Sequence, residues 1–229
     1  MFRACRTAVL LSTLSMAIAT TPLACQSTGI SAASSASKTF ATMGTSIADV
    51  RTSLDKLAAN LDEMSTAGER GVSGDLKKLF SSYSSLETGL AKSARRLDDA
   101  AKACARETTS YLNVRRKQNA SMTDPAVKQL DLKQIDELVS SELQTRDAYL
   151  AVKGQLEPLL SSAASLETYL ANNLNTAGVA AGAALFQKTA DQIRDVSPAL
   201  EACSKAYRAL ANSMVPPKDT GGSPKGPAS

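Results

Sequence analysis

Apolar residues recur along this chain at alternating steps of three and four from Phe40 onward. Phe40, Met43, Ile47, Val50, Leu54, Leu57, Leu61 and Met64 keep that alternation without a miss, which predicts a helix carrying a heptad seam. Three glycines in "AGERGVSG", Ala67 to Gly74, close it. A second run, Leu76, Leu79, Tyr83, Leu86, Leu90, Ala94, Leu97, Ala101, Cys104, Thr108 and Tyr111, predicts a helix from Asp75 to Lys117, ~60 Å long at ~1.5 Å per residue. "QNASMTDP" ends it, because the residue before a proline disfavours helix and the proline suits the first turn of the next one.

The third run holds Leu132, Ile135, Val139, Leu143, Leu156, Leu159, Ala163, Leu166 and Leu170, and ends near "NNLNTAG". Pro158 lies inside it and is expected to kink or split it, since its ring displaces the carbonyl four residues back. Phe186, Ala190, Ile193, Val196, Leu200, Cys203, Tyr207 and Leu210 form the fourth run, with a second bend expected at Pro198. Short connections make sequential helices antiparallel neighbours. Folded back in this way, the first helix covers only the start of the second, and the fourth only the end of the third. The expected fold is therefore all-α: an elongated antiparallel four-helix bundle over residues 39–213. A two-helix coiled-coil hairpin, about Thr108 to Gln134, projects from it.

The N-terminal segment follows a different pattern. Arg3 and Arg6 precede an apolar stretch from Thr7 to Thr20, and small residues follow, which is the order of a secretory signal peptide. That stretch is shorter than the ~20 residues that span a bilayer as a helix. Residues 1–24 read as the signal peptide. Leu23-Ala24-Cys25 then resembles a bacterial lipobox, in which Cys25 becomes the acylated first residue of the mature chain. Pro22 stands where a lipobox usually carries an aliphatic residue, and a cleavage site after Ala17-Ile18-Ala19 competes, which would leave Cys25 a free thiol. The Ser/Thr/Gly/Ala-rich residues 25–38 read as a flexible tether, and the Pro/Gly/Ser-rich residues 214–229 as a disordered tail.

Composition removes most chemistry. The chain has 229 residues, no His and no Trp, so the usual general base and the commonest metal ligand are missing. Asp98, Asp99, Asp136, Glu137 and Glu142 are spaced for a solvated face, and no Glu-x-x-His pair exists to build a two-metal bundle site. No glycine-rich phosphate loop and no serine triad is visible. The expectation is a protein without catalytic residues, metal or cofactor. Its formal charge of +4 falls to +2 once the two leader arginines are removed, which gives no case for nucleic acid as a partner.

Cys104 and Cys203 fall on seam positions at similar heights along the folded-back helices. In an exported protein they form either a disulfide pinning the second helix to the fourth, or two buried thiols packed as small hydrophobes. Arg115, Arg116 and Lys117, near the hairpin turn, are candidates for contact with a partner or with anionic lipid, against the plainer reading of a solvated helix end. Gly178-Val-Ala-Ala-Gly182 has the small-xxx-small spacing of close packing. Asn119-Ala120-Ser121 matches a glycosylation sequon, read as chance behind a bacterial leader.

"LEPLLSSAASLETYLANNLN" (Leu156 to Asn175) and "QNAS" at the hairpin turn are similar to a bacterial predicted-lipoprotein family of unknown function. The resemblance covers Phe40 to Leu210 and implies an all-helical envelope protein with no assigned activity. Together these readings predict a lipid-anchored, non-enzymatic coiled-coil scaffold of the bacterial envelope, at the outer membrane facing the periplasm. Its partners would be the membrane, through the anchor, and an envelope protein or a second copy of the chain. A membrane-active or lipid-binding bundle is the alternative.

Overall fold

The computed structural model describes residues 24–70 and 73–214, with side chains described in 35–70 and 75–214. The leader before Ala24 and the tail after Met214 lie outside the described residues. Among the described residues five helices follow one another: α1 (Ala24–Glu69), α2 (Ser73–Ser121), α3 (Pro125–Asn172), α4 (Thr176–Ala181) and α5 (Ala183–Met214). Among the described residues there is no strand. The fold is all-α, with α1 packed on α2, α2 on α3, α3 on α5 and α5 back on α1. That order is a four-membered ring in which α2 and α5 face each other across the diagonal.

The seams explain the ring. All eight apolar positions of the first run are buried in α1, and Leu76, Tyr83, Leu90, Leu97, Ala101, Cys104 and Tyr111 are buried in α2. From α5, Phe186, Ile193, Val196, Leu200, Cys203, Tyr207, Leu210 and Met214 enter the same core. Removing one fully buried leucine, such as Leu159, from a core of this kind costs about 2 to 5 kcal/mol.

Cross-bundle hydrogen bonds fix the heights. Ser53 and Ser93 hydroxyls meet at 3.2 Å, Asn60 Nδ2 donates to the Leu79 carbonyl at 3.3 Å, and Tyr83 donates to the Ala163 carbonyl at 3.0 Å. Higher up, the Thr145 hydroxyl reaches the Ala206 carbonyl at 3.4 Å.

Three expectations need correction. The third run placed Leu132 and Leu143 on the seam, yet they are 44% and 42% exposed. Val152, Leu156, Leu159, Ala163, Leu166 and Leu170 set a strict heptad phase in the second half of α3. An unbroken helix carries that phase back toward its start, so Asp131, Ile135, Leu138 and Thr145 turn inward instead. Helical continuity outweighs the preference of two leucines.

Of the kink or split expected at Pro158, the split does not occur: α3 runs through Pro158, as α5 does through Pro198. Both prolines are exposed, as are Gly154 and Arg194, whose carbonyls lose their amide donors. At exposed positions the freed carbonyls are open to solvent, so each proline can be carried without ending its helix. The third correction concerns residues 25–38, read as a tether. Helix α1 begins at Ala24 and includes them, and Ala36 is already part of the core at 1% exposure. Alanine has the highest helix propensity and the segment contains no proline, so packing at its C-terminal end is enough to propagate the helix backward.

Helix α4 closes the end of the bundle remote from the hairpin. Asn175 caps it by accepting from the Gly178 amide at 2.8 Å, and Val179 is buried against α1. A Cβ on Gly68 would stand 2.6 Å from Val179 Cγ1, and one on Gly178 would stand 2.2 Å from the Asn173 carbonyl oxygen. The close packing expected of the Gly178–Gly182 spacing is thus directed at the α3–α4 corner.

Candidate functional site

The region that departs most from a sealed bundle is the arm built by the end of α2 and the start of α3. Counting from the Thr145–Ala206 contact, α5 stops at Met214 level with about residue 137 of α3, and the arm continues beyond it. The arm is not a bare pair of helices. Cys104 Sγ lies 3.7 Å from the Thr39 carbonyl, and α1 continues as helix from that level back to Ala24, a length that reaches to about the level of residue 119.

Inside the arm, Tyr111, Leu112, Ile135 and Leu138 are buried, together with Asn119 and Asp131. Asn119 Nδ2 donates to the Lys128 carbonyl at 2.8 Å and so ties the two helices together beside their turn. That nitrogen is engaged in the fold, in keeping with the sequon's being chance. Asp124 caps α3, accepting from the amides of Ala126 and Val127 at 2.8 and 3.2 Å.

The three candidate cations separate. Arg115 turns inward, forming an ion pair with Asp131 and donating to Gln134 Oε1 at 3.1 Å and to the Tyr111 hydroxyl at 3.5 Å. Arg115 is therefore a structural cation of the arm, unavailable to a partner. Arg116 and Lys117 are exposed and have no ion-pair partner among the described residues. Sequence reasoning overlooked the apolar company they keep: Val127, Leu130 and Leu132 are 51%, 61% and 44% exposed in the first turns of α3. With Leu143 and Leu150, they make five of the six large apolar residues left in solvent among the described residues, and these five are all on α3. The available signal was that these positions fall off the heptad phase set further along α3.

Where the arm joins the body, a cleft of about 210 Å³ opens between α2, α3 and α5. Ala101, Cys104, Thr145, Tyr149, Leu150 and Tyr207 line it. Below it Asp98 accepts from the Tyr149 hydroxyl and from Lys102, both at 2.5 Å. Hydrogen bonds from Lys102 and then Tyr149 hold the Asp98 carboxyl below the usual range, while burial and then Asp98 push the Tyr149 phenol up. Asp99, Asp136 and Glu137 face solvent, and Glu142 borders the cleft. These acids are not convergent, and among the described residues no three His, Cys, Asp or Glu side chains gather as a metal site.

Cys104 and Cys203 are both buried and both free thiols. They belong to α2 and α5, and Cys203 lies near enough to add to the upward shift that burial gives the Cys104 thiol. Burial pushes each thiol up to about 12, which makes both inert at neutral pH. Cys25 is the second residue of α1.

No protein-family model matches this chain, and no curated protein or solved structure is detectably similar to it. Among the described residues no helix is long and apolar enough to cross a membrane.

Proposed function

We propose that the protein is a lipid-anchored bacterial envelope protein that works without catalysis, as an interaction scaffold, and that its contact surface is the outward face of α3. The observation that carries this reading is that five of the six exposed large apolar side chains among the described residues lie on that helix, from Val127 to Leu150, with Leu185 of α5 the sixth. Exposed apolar surface gathered on one element is the usual mark of an interaction site. The signal-like leader, the lipobox resemblance at Cys25 and the lipoprotein-family resemblance support the envelope location.

Photocrosslinkers placed at Leu143 and Leu150 in host cells test the surface. A discrete adduct from these two positions, absent from a crosslinker at Pro198 on α5, is expected. No adduct, or equal labelling from all three, refutes it. The second reading, a lipid-binding bundle, draws on the cleft beside Tyr149 and Tyr207. It predicts an acyl ligand released from the purified protein by denaturation and found by mass spectrometry.

A further inference from the structure

Two independent placements converge on the tip of the arm. The first is the origin of the chain's folded part. Because Thr39 and Cys104 share a level and α1 is helical from Ala24, Cys25 lies level with about residue 118 of α2. At ~1.5 Å per residue that leaves it within about one or two helical turns of the Met122–Asp124 turn. The second is the chemistry of the tip itself. Arg116, Lys117 and Lys133 are exposed there, with Lys128 half-buried between them. Asp124 caps α3 and Asp131 is paired with Arg115, and the four cations Arg116, Lys117, Lys128 and Lys133 against these two carboxylates leave residues 116–133 a net charge of +2. Asp136 and Glu137 lie further along the shaft. Val127 and Leu130, three residues apart on one face of α3, are exposed at the same tip.

We infer that this tip, residues 116–133, docks on an anionic phospholipid surface, with Arg116, Lys117 and Lys133 meeting headgroup phosphates and Val127 and Leu130 entering the acyl boundary. The arm would then point toward the membrane beside the anchor, and the α4 end away from it. That orientation rests on the anchored reading above, whereas the docking rests on the tip's own residues. Cations around exposed aliphatics are the composition of interfacial membrane contacts, whose strength sums apolar burial and attraction to anionic lipid. A second copy is a poorer occupant, because tip-to-tip association would bring like charges together.

The chain has no tryptophan, so Leu130→Trp introduces a single reporter at an exposed site. The variant is purified as its host processes it and mixed with vesicles of phosphatidylcholine alone or with phosphatidylglycerol. Emission should shift to the blue and be quenched by brominated acyl chains only when phosphatidylglycerol is present. Leu185→Trp, at the opposite end, should not respond. Adding Arg116→Ala and Lys117→Ala should lower the docked-to-free ratio about 30-fold, from the typical strength of two basic residues near such a surface.

An unchanged spectrum, an equal shift with phosphatidylcholine alone, an equal response at position 185, or a vesicle-independent shift growing with protein concentration would each overturn docking. If circular dichroism shows Leu130→Trp misfolded, Val127→Trp replaces it. Intact mass separates the two readings: unacylated protein that still docks keeps the tip contact and loses the anchor, and acylated protein that does not dock does the reverse.

Discussion

Arg115→Met should unlock the arm, and the size of the effect follows from where Arg115 ends. Its partner Asp131 occupies a heptad core position at 8% exposure; Arg115 meets Oδ1, and the buried Oδ2 has no hydrogen-bond partner. Removing the guanidinium strands a buried carboxylate, which costs about 3 to 5 kcal/mol; the lower figure suits a site this close to the open end of the bundle. For a chain of this size about 3 kcal/mol lowers the melting temperature by about 6 to 12 °C. Asp131→Leu has the opposite character. It puts an apolar side chain into the seam and leaves Arg115 with Tyr111, Gln134 and water, so stability should change by less than about 1 kcal/mol. The double variant should be at least as stable as the parent. Thermal melts by circular dichroism measure the whole effect, and hydrogen exchange of amides in 110–119 and 128–138 locates it. An Arg115→Met melt within about 1 °C of the parent with unchanged exchange would show the pair to be a screened surface contact. Equal losses for Arg115→Met and Asp131→Leu would refute the argument from burial.

Pro158→Ala should stabilise the protein by about 1 to 3 kcal/mol by restoring the amide donor to the Gly154 carbonyl, read from the urea midpoint; a loss would mean the proline is required for the packing of α3. Glu87 is raised above the ordinary carboxylate range by burial and then by Glu167, so its contribution is present at low pH and lost as pH rises through the folded value. Glu87→Gln should therefore raise the melting temperature at pH 7 and leave it nearly unchanged at pH 3; a uniform shift at both would contradict that sign. Native protein treated with iodoacetamide at pH 8 should keep Cys104 and Cys203 unlabelled, and both should react in denaturant. Rapid native labelling, or a non-reduced mass two hydrogens light, would contradict two inert buried thiols.

Three of the four seams could be read directly because each apolar step of three and four had one answer. The first half of α3 could be read only at Ile135, because Leu132 and Leu143 lie one residue away from the phase that the rest of the helix imposes. Asp131 and Thr145 gave no sign of burial until Arg115 and the Ala206 carbonyl were found opposite them. The helical state of residues 25–38 was hidden for a similar reason. Ser/Ala composition is equally that of a tether, and what decides the matter is the neighbour that buries Ala36.

At the arm, the basic triplet was legible as a patch, but which cation turned inward depended on a partner across the hairpin. Val127 and Leu130 were missed because no seam claimed them, and for exposed positions that is itself the informative pattern.

The intact, non-reduced mass of the protein recovered from the membranes of its own host tests the central claim most directly. The account predicts a species that begins at Cys25 and carries acyl mass. A species that begins upstream of Cys25, without lipid, would contradict it and leave a secreted helical bundle with no anchor.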